Sequence, residues 1–163
     1  MEEIEIQIKR LRRIDEPLPL PIYMTDGASG MDLCADIEDD LTLEPMKRAL
    51  IPTGIAVALP LGFEAQVRPR SGMALKHGLT MINSPGTIDS DYRGEIQLIA
   101  INLGSEPVVI QRGQRIAQMV VQRIVRAHWQ EVEDLPASHR QDGGFGHTDN
   151  EAVRGFKSSK VQR

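Results

Sequence analysis

Asn83-Ser-Pro-Gly-Thr-Ile-Asp-Ser-Asp-Tyr-Arg-Gly-Glu-Ile96 lies between two runs that read as strands. Its fourteen positions hold three acids, a Tyr, an Arg, two Gly and a Pro. Ser-Pro-Gly interrupts regular structure, and Tyr-Arg-Gly marks a second bend before Glu95 to Ile101 resumes an extended run. The stretch reads as a hairpin whose tip carries recognition and acid–base groups. Outward from it, turn signals recur about every ten residues and prolines are spread along the chain. Ile4, Ile6 and Ile8 alternate with polar residues. Met31–Ala35, Leu41–Leu43, Ala49–Ile51, Gly54–Leu59, Phe63–Val67, Val108–Ile110 and Arg115–Val125 each have strand length. Leu18-Pro-Leu-Pro-Ile22 is an extended connector, because two prolines exclude helix. The pattern predicts an all-β sandwich or barrel with one short helix near Met73–Lys76.

The chain has 163 residues, enough for one domain with its own core. With 40% apolar residues but only 4% aromatic, that core must be filled by branched aliphatics. A net charge of −4 argues against general affinity for nucleic acid, which depends on cations meeting phosphates. The single Cys34 excludes an internal disulfide and fits a reducing, cytoplasmic setting. It reads as a small buried residue in preference to a catalytic thiol. The Met-Glu-Glu-Ile-Glu start lacks the order of a signal peptide, and no apolar run approaches the roughly twenty residues a membrane helix needs. The boundaries expected are a β domain over 1–136 and a flexible, mobile arm over 137–163, whose Gly-rich part is 137–149.

Five segments could carry chemistry. In Ala28-Ser-Gly-Met-Asp32, the carboxylate can bind a metal directly, bind it through water, or brace the turn. Arg68-Pro-Arg-Ser-Gly72 offers a guanidinium fork, a hydroxyl and an unobstructed backbone, a cradle for phosphate or a solvated basic turn. In the opening stretch, Asn83 has a donor and an acceptor to read a base edge and Tyr92 has a flat face for a ring. Asp89 and Asp91 there could orient water, hold a cation or brace the turn. In Arg112-Gly-Gln-Arg-Ile-Ala-Gln118, strand alternation puts Ile116 and Gln118 on one face, and the Gln118 amide needs partners. In Arg140-Gln-Asp-Gly-Gly-Phe-Gly-His-Thr148, three glycines let the backbone fold over a ligand, with Phe145 to stack and Arg140 to meet phosphate.

In this order the five segments resemble the five motifs of the homotrimeric dUTPase family, over residues 4–148. Gly86-Thr-Ile-Asp-Ser-Asp-Tyr-Arg-Gly-Glu95 carries the most specific match. The resemblance implies a jelly-roll-like β-barrel of the β-clip kind, a homotrimer with shared active sites, and Mg²⁺-assisted hydrolysis of dUTP to dUMP and pyrophosphate. Such a reaction keeps uracil out of DNA and supplies dUMP for dTTP synthesis. Carried over, Asp89 is the base that activates the attacking water. Arg70, Ser71 and Gly72 bind phosphates, Gln118 meets the α-phosphate side, and Asp32 touches the metal through water. Asn83 reads uracil, Tyr92 packs on the deoxyribose, and Thr87, Ile88 and Gln97 complete the hairpin contacts. Phe145 and Gly146 close over the base, with Arg140 on phosphate. The fifth segment departs from the family at Gln141, His147 and Asp149. The alternatives are a dCTP deaminase of the same fold, which needs a catalytic Glu, and a non-catalytic nucleotide-binding module.

Overall fold

The computed structural model describes residues 3–12, 16–138 and 141–142. Compact packing divides the chain into one unit ending at Arg126 and a second starting at Ala127. All strands and the helix among the described residues belong to the first unit. They are β1 (Gln7–Arg10), β2 (Met31–Cys34), β3 (Leu41–Leu43), β4 (Arg48–Pro52), β5 (Ile55–Ala58), β6 (Phe63–Pro69), α1 (Ser71–His77), β7 (Leu79–Met81), β8 (Gly86–Ile88), β9 (Gln97–Asn102), β10 (Val108–Ile110) and β11 (Arg115–Arg123). The fold is all-β with one short helix, as the turn spacing predicts. No helix among the described residues is long and apolar enough to cross a membrane.

Two larger sheets organise the unit. One runs β2-β11-β6-β8 and the other β4-β9-β7; β1 pairs with β5 and β3 with β10. All the pairings within them are antiparallel. Alternation then sends every second side chain inward. Leu33, Ala65, Val67, Ala117 and Met119 come from the first sheet, Ile51, Leu79, Met81, Leu98 and Ala100 from the second, and they meet in one buried cluster. The aliphatic core expected from the scarcity of aromatics is therefore the one observed.

The stretch 83–96 differs from a plain hairpin. Its arms are β7 and β9, paired from Leu79↔Asn102 to Met81↔Ala100. Between them β8 leaves to pair with β6 in the other sheet. The connection thus spans both sheets, which a two-strand reading of the sequence misses.

The foot of this connection is clipped to the turn between β4 and β5. The buried Thr53 hydroxyl donates to the Ile96 carbonyl at 2.5 Å, the Ile96 N–H donates to Ile55 O at 2.9 Å, and the Gly54 N–H donates to Glu95 Oε1 at 2.8 Å. Gly54 has φ +69°, and a Cβ there would lie 2.2 Å from Asp36 Oδ2. Asp36 is buried beside Arg112, 3.2 Å away, and Arg12, 3.6 Å away. Gly54→Ala therefore combines left-handed strain with a collision. Strain of this kind alone costs about 1–3 kcal/mol. The expected outcome is a clear drop in the urea midpoint; an unchanged midpoint would mean that Asp36 and the turn yield freely.

Candidate active site

β2, β11 and β6 lie side by side, and their register aligns three polar residues. Gln118 pairs with Asp32 on one side and with Arg68 on the other. Directly paired residues share a face, so the three form a polar row across the sheet. Next along β6, Gln66 Oε1 accepts from Arg68 Nη2 at 2.6 Å, and Gln66 Nε2 donates to Glu64 at 2.6 Å. Thr87 of β8 faces Gln66.

Asp32 sits at the centre of a charge cluster. Its Oδ1 is 2.9 Å from Arg70 Nε and its Oδ2 is 3.1 Å from Arg115 Nη1. Arg70 Nη1 also donates to the Arg115 carbonyl at 2.9 Å. Two guanidiniums against one carboxylate leave about one positive charge, a setting that suits a phosphate oxygen. Ser71 and Gly72 follow at once as the exposed first residues of α1, whose N-cap Arg70 supplies no side-chain cap. Their N–H groups have no acceptor within the helix.

Arg115 was not singled out by the sequence pattern, and the reason is local. The register slips between Arg115, opposite Cys34, and Ala117, opposite Leu33. The extra residue is Ile116, which is fully buried in the core. This bulge reverses the alternation, so Arg115 and not Ile116 shares the face of Gln118 and Asp32. Gln118 Nε2 donates to the Pro69 carbonyl at 3.0 Å, and its Oε1 fills the space above Gly30. The amide partner demanded by the sequence is thus the backbone just before Arg70.

The second group of candidate residues lies on the connection 83–96. Asn83, Thr87, Asp89, Tyr92 and Gln97 are exposed and Ile88 is half-buried. The Asn83 amide folds over Gly86, with Nδ2 2.9 Å from where a Cβ would stand. Ser84–Pro85 is a cis peptide. Asp89 opens a tight turn closed by the Tyr92 N–H on its carbonyl at 3.1 Å. Arg93 Nη1 donates to the Ser90 and Tyr92 carbonyls at 2.7 and 2.8 Å, which stiffens the same turn. The Tyr92 ring lies back over Gly94, where a Cβ would be 2.4 Å from its hydroxyl. That hydroxyl donates to the Glu95 carbonyl at 3.0 Å.

Arg140, Phe145, Gly146, His147 and Asp149 lie outside the described residues. Gln141 is described, with φ +49° and its N–H on Ser138 Oγ at 3.1 Å. Lys76 and His77, at the end of α1, are exposed. Among the described residues no group of three or more His, Cys, Asp or Glu is arranged to hold a metal ion. Protein oxygens alone therefore do not make a cation cage here, and Asp32 already answers two guanidiniums.

The dUTPase family model matches residues 16–149. A deoxyuridine 5′-triphosphate nucleotidohydrolase from Caldanaerobacter subterraneus subsp. tengcongensis is 57% identical over 145 residues, 89% of this chain and 97% of that relative. A variant of the Staphylococcus bacteriophage 80alpha dUTPase with dUpNHpp superposes with a TM-score of 0.75 at 25% identity, over 87% of this chain and 96% of that one. A dUTPase variant from phage phi11 of S. aureus, whose structure reveals the coordination of a structural Mg(II) ion, gives a TM-score of 0.71 at 22% identity. It covers 82% of this chain and 99% of that one.

Cys34 borders the charge cluster. Burial pushes its thiol above the ordinary 9.0; Arg115 pulls it down, Asp32 pushes it up and Arg70 pulls it down. A raised value means less thiolate at any given pH below it, and thiolate is the reactive form. Alkylation by iodoacetamide at pH 8 is expected to be slower in the folded protein than in urea. Its rate should keep climbing at pH values where the thiol of the unfolded chain has already levelled off. Fast labelling at pH 8 would contradict the burial.

Proposed function

The chain belongs to the dUTPase family, and we propose that it is a dUTP diphosphatase that works by attack of an Asp89-activated water on the α-phosphate. The observation that carries this reading is that one chain holds both an exposed carboxylate on a stiffened turn and a cationic cluster built on Asp32, Arg70 and Arg115. A carboxylate can orient and deprotonate a water that is held in line with phosphorus. Arg70, Ser71 and Gly72 bind the phosphates, with Ser71 near the leaving pyrophosphate. The second amide N–H of Gln118 is turned to the α-phosphate side, since the first is held by Pro69.

Specificity follows from hydrogen-bond pattern and shape. Asn83 and the backbone of the connection read the uracil edge, which cytosine cannot match because it presents a donor in place of an acceptor. A 5-methyl group is excluded by the tight connection. Tyr92, held back over Gly94, packs on the deoxyribose where a ribose 2′-OH needs room. Thr87, Ile88 and Gln97 complete the contacts. Residues 137–163 act as an arm, with Arg140 on phosphate and Phe145 and Gly146 over the base, to exclude bulk water. His147 takes the place of a hydroxyl donor in that arm.

Mg²⁺ fits this donor set as a hard cation held by phosphate oxygens and water, and it offsets the triphosphate charge when bound. Asp32 would help hold the ion through a water, using a lone pair not taken by the arginines. The active form is a homotrimer with shared sites. An apolar groove of about 700 Å³ lined by Ile4, Ile6, Leu20, Met31, Phe63 and Val121 supports assembly of this kind. The product dUMP then serves dTTP synthesis, in the cytoplasm.

Asp89→Asn is expected to lower kcat by roughly 10²–10⁴-fold without loss of fold, measured as pyrophosphate release from dUTP with Mg²⁺ and with chelator. Equal rates for both proteins would refute the mechanism, and ammonia release from dCTP would favour a deaminase. Truncation after Ser138 should leave a folded protein whose turnover is sharply reduced; full activity would refute the arm.

A further inference from the structure

We infer that Glu95 is a positioning residue for sugar discrimination, setting the pose of Tyr92 through a bond to the β4–β5 turn. The inference rests on the proposed reading of Tyr92 as the residue against the deoxyribose. Glu95 is held at both ends. Its side chain accepts the Gly54 N–H at 2.8 Å, and its backbone carbonyl accepts the Tyr92 hydroxyl at 3.0 Å. The next residue, Ile96, is pinned by Thr53 and Ile55. Tyr92 itself is 43% exposed, so packing alone does not fix its ring. What fixes it is the short path from hydroxyl to Glu95 carbonyl; that carbonyl shares a peptide plane with the Ile96 N–H held by Ile55, and the carboxylate bond ties the rest of Glu95 to the adjoining Gly54. Gly54 can deliver its N–H because it adopts φ +69° above Asp36. The hydrogen-bonded path to the sugar-facing ring is therefore Gly54, Glu95, Tyr92, with Asp36 packed against Gly54 at its start.

Loss of a hydrogen bond to a charged group changes an equilibrium by roughly tenfold or more. The experiment compares kcat and KM for dUTP and UTP in the full-length wild type and in variants, with melting curves alongside. Glu95→Ala is expected to raise KM for dUTP more than it lowers kcat, and to cut the dUTP/UTP ratio of kcat/KM roughly tenfold. Glu95→Gln keeps an acceptor oxygen at the same reach and should stay within about twofold of wild type. Glu95→Asp keeps the charge but is one methylene too short for Gly54, so it should behave like Glu95→Ala and replaces it if the alanine variant does not fold. Tyr92→Phe should give the same loss of ratio, and the Glu95→Ala/Tyr92→Phe pair no further loss. An unchanged ratio in folded Glu95→Ala or Glu95→Asp, or additive effects in the pair, would overturn the inference. If the wild type does not hydrolyse dUTP, the family reading of the site fails first, which separates the two.

Discussion

Three segments meet where Gly54 has no side chain. The segment just after β2 brings Asp36, the β4–β5 turn brings Thr53 and Gly54, and the foot of the long connection brings Glu95 and Ile96. Each contact there is a hydrogen bond or ion pair in a buried or half-buried setting, where an unmatched group costs more than a matched one contributes. The buried Asp36 carboxylate is balanced by Arg12 and Arg112. Its Oδ1 has the Arg112 cation at 3.2 Å without an aligned hydrogen bond. Charge holds it, and a neutral replacement there would take the buried counter-charge from both arginines, leaving Arg12 with Glu38 and Arg112 with the Glu16 carbonyl. The long connection inherits its footing from this junction, and the turn that carries Asp89 inherits it in turn.

The second constraint is electrostatic and lies on the other sheet. Asp32 holds Arg70 and Arg115 in fixed directions, so the cations are oriented before any anion arrives. Preorganisation of this sort lowers the reorganisation needed on binding. The row Asp32–Gln118–Arg68 shows why the strands must keep their register. A slip of one residue would turn these polar groups into the aliphatic core and Leu33 and Ala117 out of it.

Much of this was legible in the sequence. The strands at 31–35, 41–43, 49–51, 63–67 and 108–110 follow from apolar runs between turn residues, and α1 follows from a few good helix formers after Ser71-Gly72. The candidate residues Asp32, Arg70 and Gln118 were legible through ordered segments that resemble a family, and the structure brings these three together; the fifth segment lies outside the described residues. What was hidden depends on distant pairing. β8 is only three residues long, and nothing in Gly86-Thr-Ile88 says that its partner is β6. Arg115 was hidden because alternation assumes an unbroken strand. Glu95 and Gly54 lie forty-one positions apart, and neither residue type announces a partner.

The bulge at Ile116 has a wider meaning for how this strand can be read. Arg115 and Gln118 stand three apart, an odd interval, so a regular strand would turn them to opposite faces. An arginine sent inward would enter an aliphatic core without a counter-charge. The extra residue acts as a frameshift. Upstream of it the strand is read in one phase for the charge cluster, and downstream in the other for Gln118, Val120 and Gln122. Deletion of one residue between them would leave Arg115 and Gln118 an even interval apart, on one face of an unbroken strand, and would take one buried apolar side chain from the core.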